Sequence, residues 1–166
     1  ELHAPQAIWA ANAGLHVLSE KPLAMSVDEA TGMIQAARDN GVVLATNHHL
    51  RASRALGVAR DMLAAGELGE LRGLRINFAG SLPERLRGWR ITNPQAGAGV
   101  VLDLTVHNAD TVRFLTGQEI TAVTAVTRTL ELGEGGIEDT AFCIFELSGG
   151  TAATTYESFS APDSVN

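Results

Sequence analysis

The chain has 166 residues, of which 45% are hydrophobic and 19% charged, and its twelve Lys and Arg against nineteen Asp and Glu leave a net charge of −7. That is the balance of a globular protein long enough to bury a substantial core, and a net negative surface repels phosphate backbones, which excludes nucleic-acid binding through a broad basic face. No apolar run approaches the ~20 residues that a membrane helix needs, so no membrane partner is expected. Cys143 is the one cysteine, which excludes an intrachain disulfide and a cysteine-based metal site. With Phe142, Ile144 and Phe145 around it, it reads as a buried strand thiol. No signal-peptide pattern opens the chain, and a reducing, cytoplasmic setting is expected. Glu1 is not a methionine and leads by a short loop straight into a helix, so the chain reads as the interior of a longer polypeptide.

Pro5 suits the first turn of a helix, which Ala7, Ile8, Ala10, Ala11 and Ala13 continue to a stop at Gly14. Residues 15–19 form a short apolar run of the kind seen in buried parallel strands. Ser26 with Glu29 is a capping box that opens a helix through Ala30, Met33, Ile34 and Ala37, ending near Asn40 and Gly41. Residues 42–46 are the next buried strand, which completes one right-handed βαβ unit. A long helix is predicted over 51–65, with Ala55, Val58, Ala59 and Met62 as its apolar face and Gly66 as its stop. Residues 71–79 alternate as a half-buried strand. A second helix is predicted over 101–115, with Leu102, Val106, Ala109, Val112 and Phe114 as core candidates. Strands at 120–130 and 139–147 follow, and Ser148-Gly149-Gly150 turns the chain into a last strand at 151–159. Residues 161–166 then run on without a closing helix. The expected class is α/β: the C-terminal part of a Rossmann domain over 1–46, then an α+β domain with a largely antiparallel open sheet over 47–166, incomplete at its end.

Three clusters could carry chemistry. Glu20-Lys21-Pro22 ends a parallel strand, at the sheet edge where open α/β folds bind ligands. The proline makes a cis bond affordable, at about 0.5–1 kcal/mol, and a held ammonium can donate to a carbonyl oxygen. Alone, this tripeptide would read as a surface lysine before a turn. Asp103 and His107 are four apart on the second helix and share a face, among neighbours that look apolar. An aspartate orienting an imidazole is a standard acid–base pairing, although helical Asp–His contacts are common. Gly97 and Gly99 lack the third glycine and the preceding strand of a dinucleotide loop. Asn47, His48 and His49 end the second strand; adjacent histidines point apart, which argues against a shared metal, so one is expected to pack and one to face the cleft. The basic run of Arg85, Arg87 and Arg90 is too short to read a nucleic-acid groove. Trp89 and Arg90 could stack on and hold one ligand, or merely cover a core edge.

Together, Glu20-Lys21-Pro22, the glycine-rich lead into Asp103 and His107, and the order βαβ then mixed sheet resemble the Gfo/Idh/MocA oxidoreductase family over essentially the whole chain. Residues 45–51, Gly88-Trp89-Arg90 and 101–107 are especially similar to its sugar-ketone reductase branch. The resemblance implies hydride transfer between a nicotinamide and a sugar or polyol carbon, with Lys21, Asp103 and His107 as the catalytic residues. It places His3, Glu20, Lys21, Asn47, Trp89 and Arg90 near the cofactor and favours NADP(H) over NAD(H). Ala98 and Thr105 stand where many members have glycine, though this branch also has threonine at the second position. The first two βα units of the Rossmann half, with the glycine loop and the NAD/NADP-selecting residue, are missing, and the edge of such a half-built sheet is an aggregation hazard. A small sugar or polyol is the expected partner, and the sequence is compatible with a homo-oligomer. The rival is a non-catalytic sensor of dinucleotide or sugar on the same fold, which would have no need of all three catalytic residues.

Overall fold

A computed structural model describes residues 2–162; the tail from 163 to 166, where no closing helix is expected, lies outside the described residues. The chain divides between His48 and His49 into two compact units.

The first unit runs α1 (His3–Asn12), β1 (Val17–Glu20), α2 (Val27–Asp39) and β2 (Leu44–Asn47). Pro5 falls in the first turn of α1, where a missing N–H costs nothing. Ser26 caps α2, its hydroxyl accepting from the Glu29 N–H at 3.1 Å, while the Glu29 carboxylate accepts from the Met25 N–H at 2.9 Å. The box thus closes one residue further back than the usual reciprocal bond. β1 and β2 pair in parallel, Val17 opposite Leu44 and Glu20 opposite Asn47. Both strands begin two residues later than their apolar runs predict, because the helix ends claim those residues. The Leu15 N–H bonds the Ala10 carbonyl and the Val42 N–H bonds the Ala37 carbonyl, each at 3.0 Å, with Gly14 and Gly41 at positive φ, the Schellman closure. Ala4, Ala7 and Met33 form the core with Ile8, Val17, Leu23, Ala24 and Leu44. Met33 is fully buried, worth about 2 kcal/mol by area. Along β1, Val17 and Ser19 face this core and Leu18, 71% exposed, points to the opposite face.

In the second unit the expected helix over 51–65 is broken. A 3-10 turn (His49–Ala52) precedes Ser53, and α3 spans Arg54–Ala64. Its half-buried side is Leu56, Gly57, Ala59, Met62 and Leu63, while Ala55 and Val58 face solvent. β3 (Leu74–Ala79) follows, then three short helical turns, of which α4 (Trp89–Thr92) is the middle one; none of them carries enough periodicity to be read from sequence. The expected helix over 101–115 is a wide π turn (Val101–Thr105) running into α5 (Val106–Thr116). β4 (Ile120–Arg128), β5 (Thr140–Leu147) and β6 (Ala152–Ser158) complete a four-stranded sheet in the order β3-β6-β5-β4. Only β3 and β6 pair in parallel, so the largely antiparallel sheet is as expected. Along β5, Ala141, Cys143, Phe145 and Leu147 point into the core and Phe142 and Ile144 to the other face. Val100, Val112, Leu82, Ala153 and Phe159 fill the core from the other elements. Burial pushes the Cys143 thiol above its ordinary pKa, and the nearby Glu157 carboxylate adds to the shift.

Asp139, fully buried, organises the loop between β4 and β5. Its carboxylate accepts the N–H groups of Leu130, Glu131 and Leu132 at 2.9, 2.7 and 2.8 Å. Burial pushes its pKa up, but these three bonds and the Thr140 hydroxyl outweigh that and hold it below the usual carboxylate value. A folded value below the unfolded one of about 4 means stability that is present above that pH and is lost as pH falls through the folded value. Asp139→Asn puts an amide donor against backbone donors and is expected to cost about 2 kcal/mol at pH 7, with a shallower loss of stability than wild type between about pH 5 and 2. Urea unfolding at pH 7 and pH 3.5 checks this; equal midpoints at pH 7 would contradict it.

Candidate active site

Each unit holds one cluster of the predicted residues. In the first, the carboxyl ends of β1 and β2 place Glu20 and Asn47 side by side, and the Asn47 amide donates to the Glu20 carboxylate at 2.7 Å. The next peptide bond, Lys21–Pro22, is cis. The Pro22 carbonyl accepts from His3 Nδ1 at 2.7 Å, which requires the proton on that nitrogen. His3, Glu20, Lys21 and Asn47, all predicted, thus gather at one sheet edge.

In the second unit the glycine-rich segment sets up the π turn. The Asn93 side chain accepts from the N–H groups of Gln95 and Ala96 at 3.0 and 3.3 Å. The Gly99 N–H bonds the Arg90 carbonyl at 3.0 Å, and the next N–H, of Val100, bonds the Glu138 carbonyl at 3.0 Å. Val101 donates to the Glu138 carboxylate at 3.2 Å. Gly99 has φ +108° and a Cβ there would run into that carboxylate, so only glycine fits. Asp103 lies in the π turn and meets Arg90, Nε to Oδ2 at 3.2 Å. The Arg90 guanidinium also donates to the Leu86 carbonyl at 3.3 Å and lies 4.5 Å from the Trp89 ring centroid. Trp89 and Arg90 are therefore packed together, with Arg90 turned onto Asp103.

His107 lies in the first turn of α5, 4% exposed. Its ring meets the His49 ring edge-on at 5.1 Å between centroids and the Phe78 ring at 6.1 Å. The expectation that its neighbours are apolar fails: Thr105, Asn108, Asp110 and Thr111 are buried with it, and of the five core candidates predicted for the helix only Val112 is fully buried. Each buried polar group must be matched. Arg51 forks onto Asp110 with Nε at 2.9 Å and Nη2 at 2.6 Å, and Asn108 donates to the Glu157 carboxyl at 2.7 Å. Arg51, Asn108, Asp110 and Glu157 were not among the predicted site residues, whereas His49 belongs to the Asn47-His48-His49 cluster that the sequence singles out. Asp110, three residues beyond His107, was the one local signal, a charge on a face assigned to the core; the Asn108 partner lies 49 residues away, which no local pattern reveals.

The Asp110 hydrogen bond raises the Arg51 pKa, against desolvation. Arg51→Lys removes the two-pronged geometry and is expected to lower stability by about 1–2 kcal/mol, less than a wholly buried pair would cost because Arg51 is half exposed. An unchanged urea midpoint would refute it.

Comparison with known proteins adds the family. Residues 57–165 match the GFO/IDH/MocA C-terminal domain, and residues 1–48 match the oxidoreductase family's NAD-binding Rossmann fold. The chain is 43% identical over 159 residues to 1,5-anhydro-D-fructose reductase of Ensifer adhaerens, covering 96% of this chain and 48% of that protein. It is 30% identical to D-xylose 1-dehydrogenase (NADP(+)) 2 of Haloferax volcanii, over 98% of this chain and 48% of the relative. GenD2 from gentamicin A biosynthesis, solved in complex with NAD, superposes with a TM-score of 0.87 at 32% identity, over 97% of this chain and 46% of its own. The chain thus spans about half the length of the relatives it matches. With a C-terminal domain match over most of its second unit and a Rossmann match over its first, the chain belongs to the Gfo/Idh/MocA oxidoreductase family.

Proposed function

We propose that the protein carrying this chain transfers a hydride between a nicotinamide dinucleotide and a sugar or polyol carbon, as a sugar-ketone reductase of the kind named in the Ensifer relative. The observation that carries the reading is Asp103, met by Arg90, with the buried His107 four residues on, downstream of Glu20-Lys21-Pro22 at a parallel sheet edge. The residues fit the cofactor's nicotinamide end. Glu20, Asn47 and His3 bring carboxylate, amide and imidazole groups to one edge, the donors and acceptors that a ribose or a carboxamide requires.

When bound, the dinucleotide supplies or accepts the hydride. In the reducing direction the Lys21 ammonium polarises the carbonyl, and His107 gives a proton to its oxygen as negative charge develops. Asp103 keeps the imidazole oriented, and Arg90 keeps Asp103 in place. Burial of His107 excludes competing water, and the oxidising direction reverses each role. The cofactor is NADP(H) in preference to NAD(H): the 30%-identical xylose dehydrogenase carries NADP(+) in its name, although GenD2 was solved with NAD.

Lys21→Ala and His107→Ala are each expected to lower kcat by about 100-fold or more, measured by nicotinamide absorbance against a panel of sugar ketones. Near-normal turnover in either variant would sink the assignment, and no turnover by the wild type on any substrate would favour a sensing role. NADPH is expected to give the higher kcat/KM; a preference for NADH would reverse the cofactor choice.

A further inference from the structure

Glu157 is 0% exposed on β6, and its Oε2 has no hydrogen-bond partner among the described residues. Its other oxygen accepts from Asn108, itself 1% exposed, at 2.7 Å. A buried carboxyl with half its acceptors unused costs stability. Packing alone does not account for Glu157.

Its position does. Glu157 pairs in register with Phe78 on the neighbouring parallel strand. The Phe78 ring lies 6.1 Å from the His107 ring, and Glu157 holds Asn108. Two adjacent sheet residues therefore seat two consecutive residues of α5. The Phe78 contact is apolar and tolerates sliding and rotation. The Asn108–Glu157 bond has a single geometry, and on a helix it fixes the rotation of the preceding residue.

We propose that Glu157 is a positioning residue for His107, acting through Asn108: the bond sets the rotation of the first turn of α5 and with it the direction of the imidazole. The proposal rests on the reading of His107 as proton donor. Its test uses Asn108→Ala, Glu157→Leu and Glu157→Gln in the intact protein that carries this chain. Asn108→Ala and Glu157→Leu are expected to lower kcat about tenfold or more while leaving KM for sugar and cofactor within about twofold. Glu157→Leu leaves the buried Asn108 amide without its acceptor and is expected to melt lower than wild type, which Glu157→Gln is not. Glu157→Gln keeps the accepting oxygen and is expected to rescue kcat to within about threefold of wild type. The imidazole resonances of His107 should move in the first two variants and stay in the third. Unchanged kcat with unmoved resonances in Asn108→Ala overturns the proposal, as does a parallel loss of kcat and melting temperature in all three variants, which marks a merely architectural bond. If Glu157→Leu does not fold, Asn108→Ala and Glu157→Gln decide. Should His107→Ala keep its turnover, the catalytic reading fails, while the His107 resonances still judge the positioning.

Discussion

Placing His107, Asn108, Asp110 and Thr111 against the sheet takes four polar side chains out of water, at a cost of about 1–3 kcal/mol for each one left unmatched. The second unit is arranged to meet that demand. Arg51 comes from the turn before α3 and Glu157 from β6, and Phe78 and His49 flank the imidazole. A helix that packed on apolar residues alone would need none of these elements in register. This one needs the turn and two strands at once, so the order of the sheet and the placing of the site are a single constraint.

The approach to that helix is fixed just as tightly. Glu138 binds two successive N–H groups at the mouth of the π turn, through its carbonyl to Val100 and its carboxylate to Val101, and Gly99 is glycine because that carboxylate fills the space where a Cβ would go. Glu138 is adjacent to Asp139, whose carboxylate gathers the loop between β4 and β5. One dipeptide therefore ties the start of the site helix to the hairpin of the sheet. In the first unit, sheet edge and helix ends are coupled in the same way: His3 opens α1 and also holds the Pro22 carbonyl.

What was legible in the sequence follows the range of the forces involved. Caps and closures act within five residues, so Ser26 with Glu29, and Gly14, Gly41 and Gly66, located the helix ends. The strand starts were missed by two residues for the same reason, because the Schellman bonds consume Leu15 and Val42. The apolar neighbours Phe142, Ile144 and Phe145 marked Cys143 as a buried strand thiol, as it is. The clusters around Glu20 and Asp103 stood out in the sequence because they are made of adjacent residues or of residues four apart. The break at Ser53, the widened turn at Val101–Thr105 and the polar seat of α5 depend on partners 37 to 59 residues away, and a local pattern has no access to those.

The distribution of contacts along α5 has a physical logic of its own. Its C-terminal half packs through Val112 and Leu115, contacts that are strong but undirected. Its N-terminal half is held by hydrogen bonds at Asn108 and Asp110, which contribute little net stability but lose it steeply when the geometry changes. Apolar packing alone leaves a helix free to slide or turn by small amounts at little cost. Directional bonds at one end remove that freedom in the half that carries His107. The half of the helix that carries His107 is thus the half that gives up packing energy for direction.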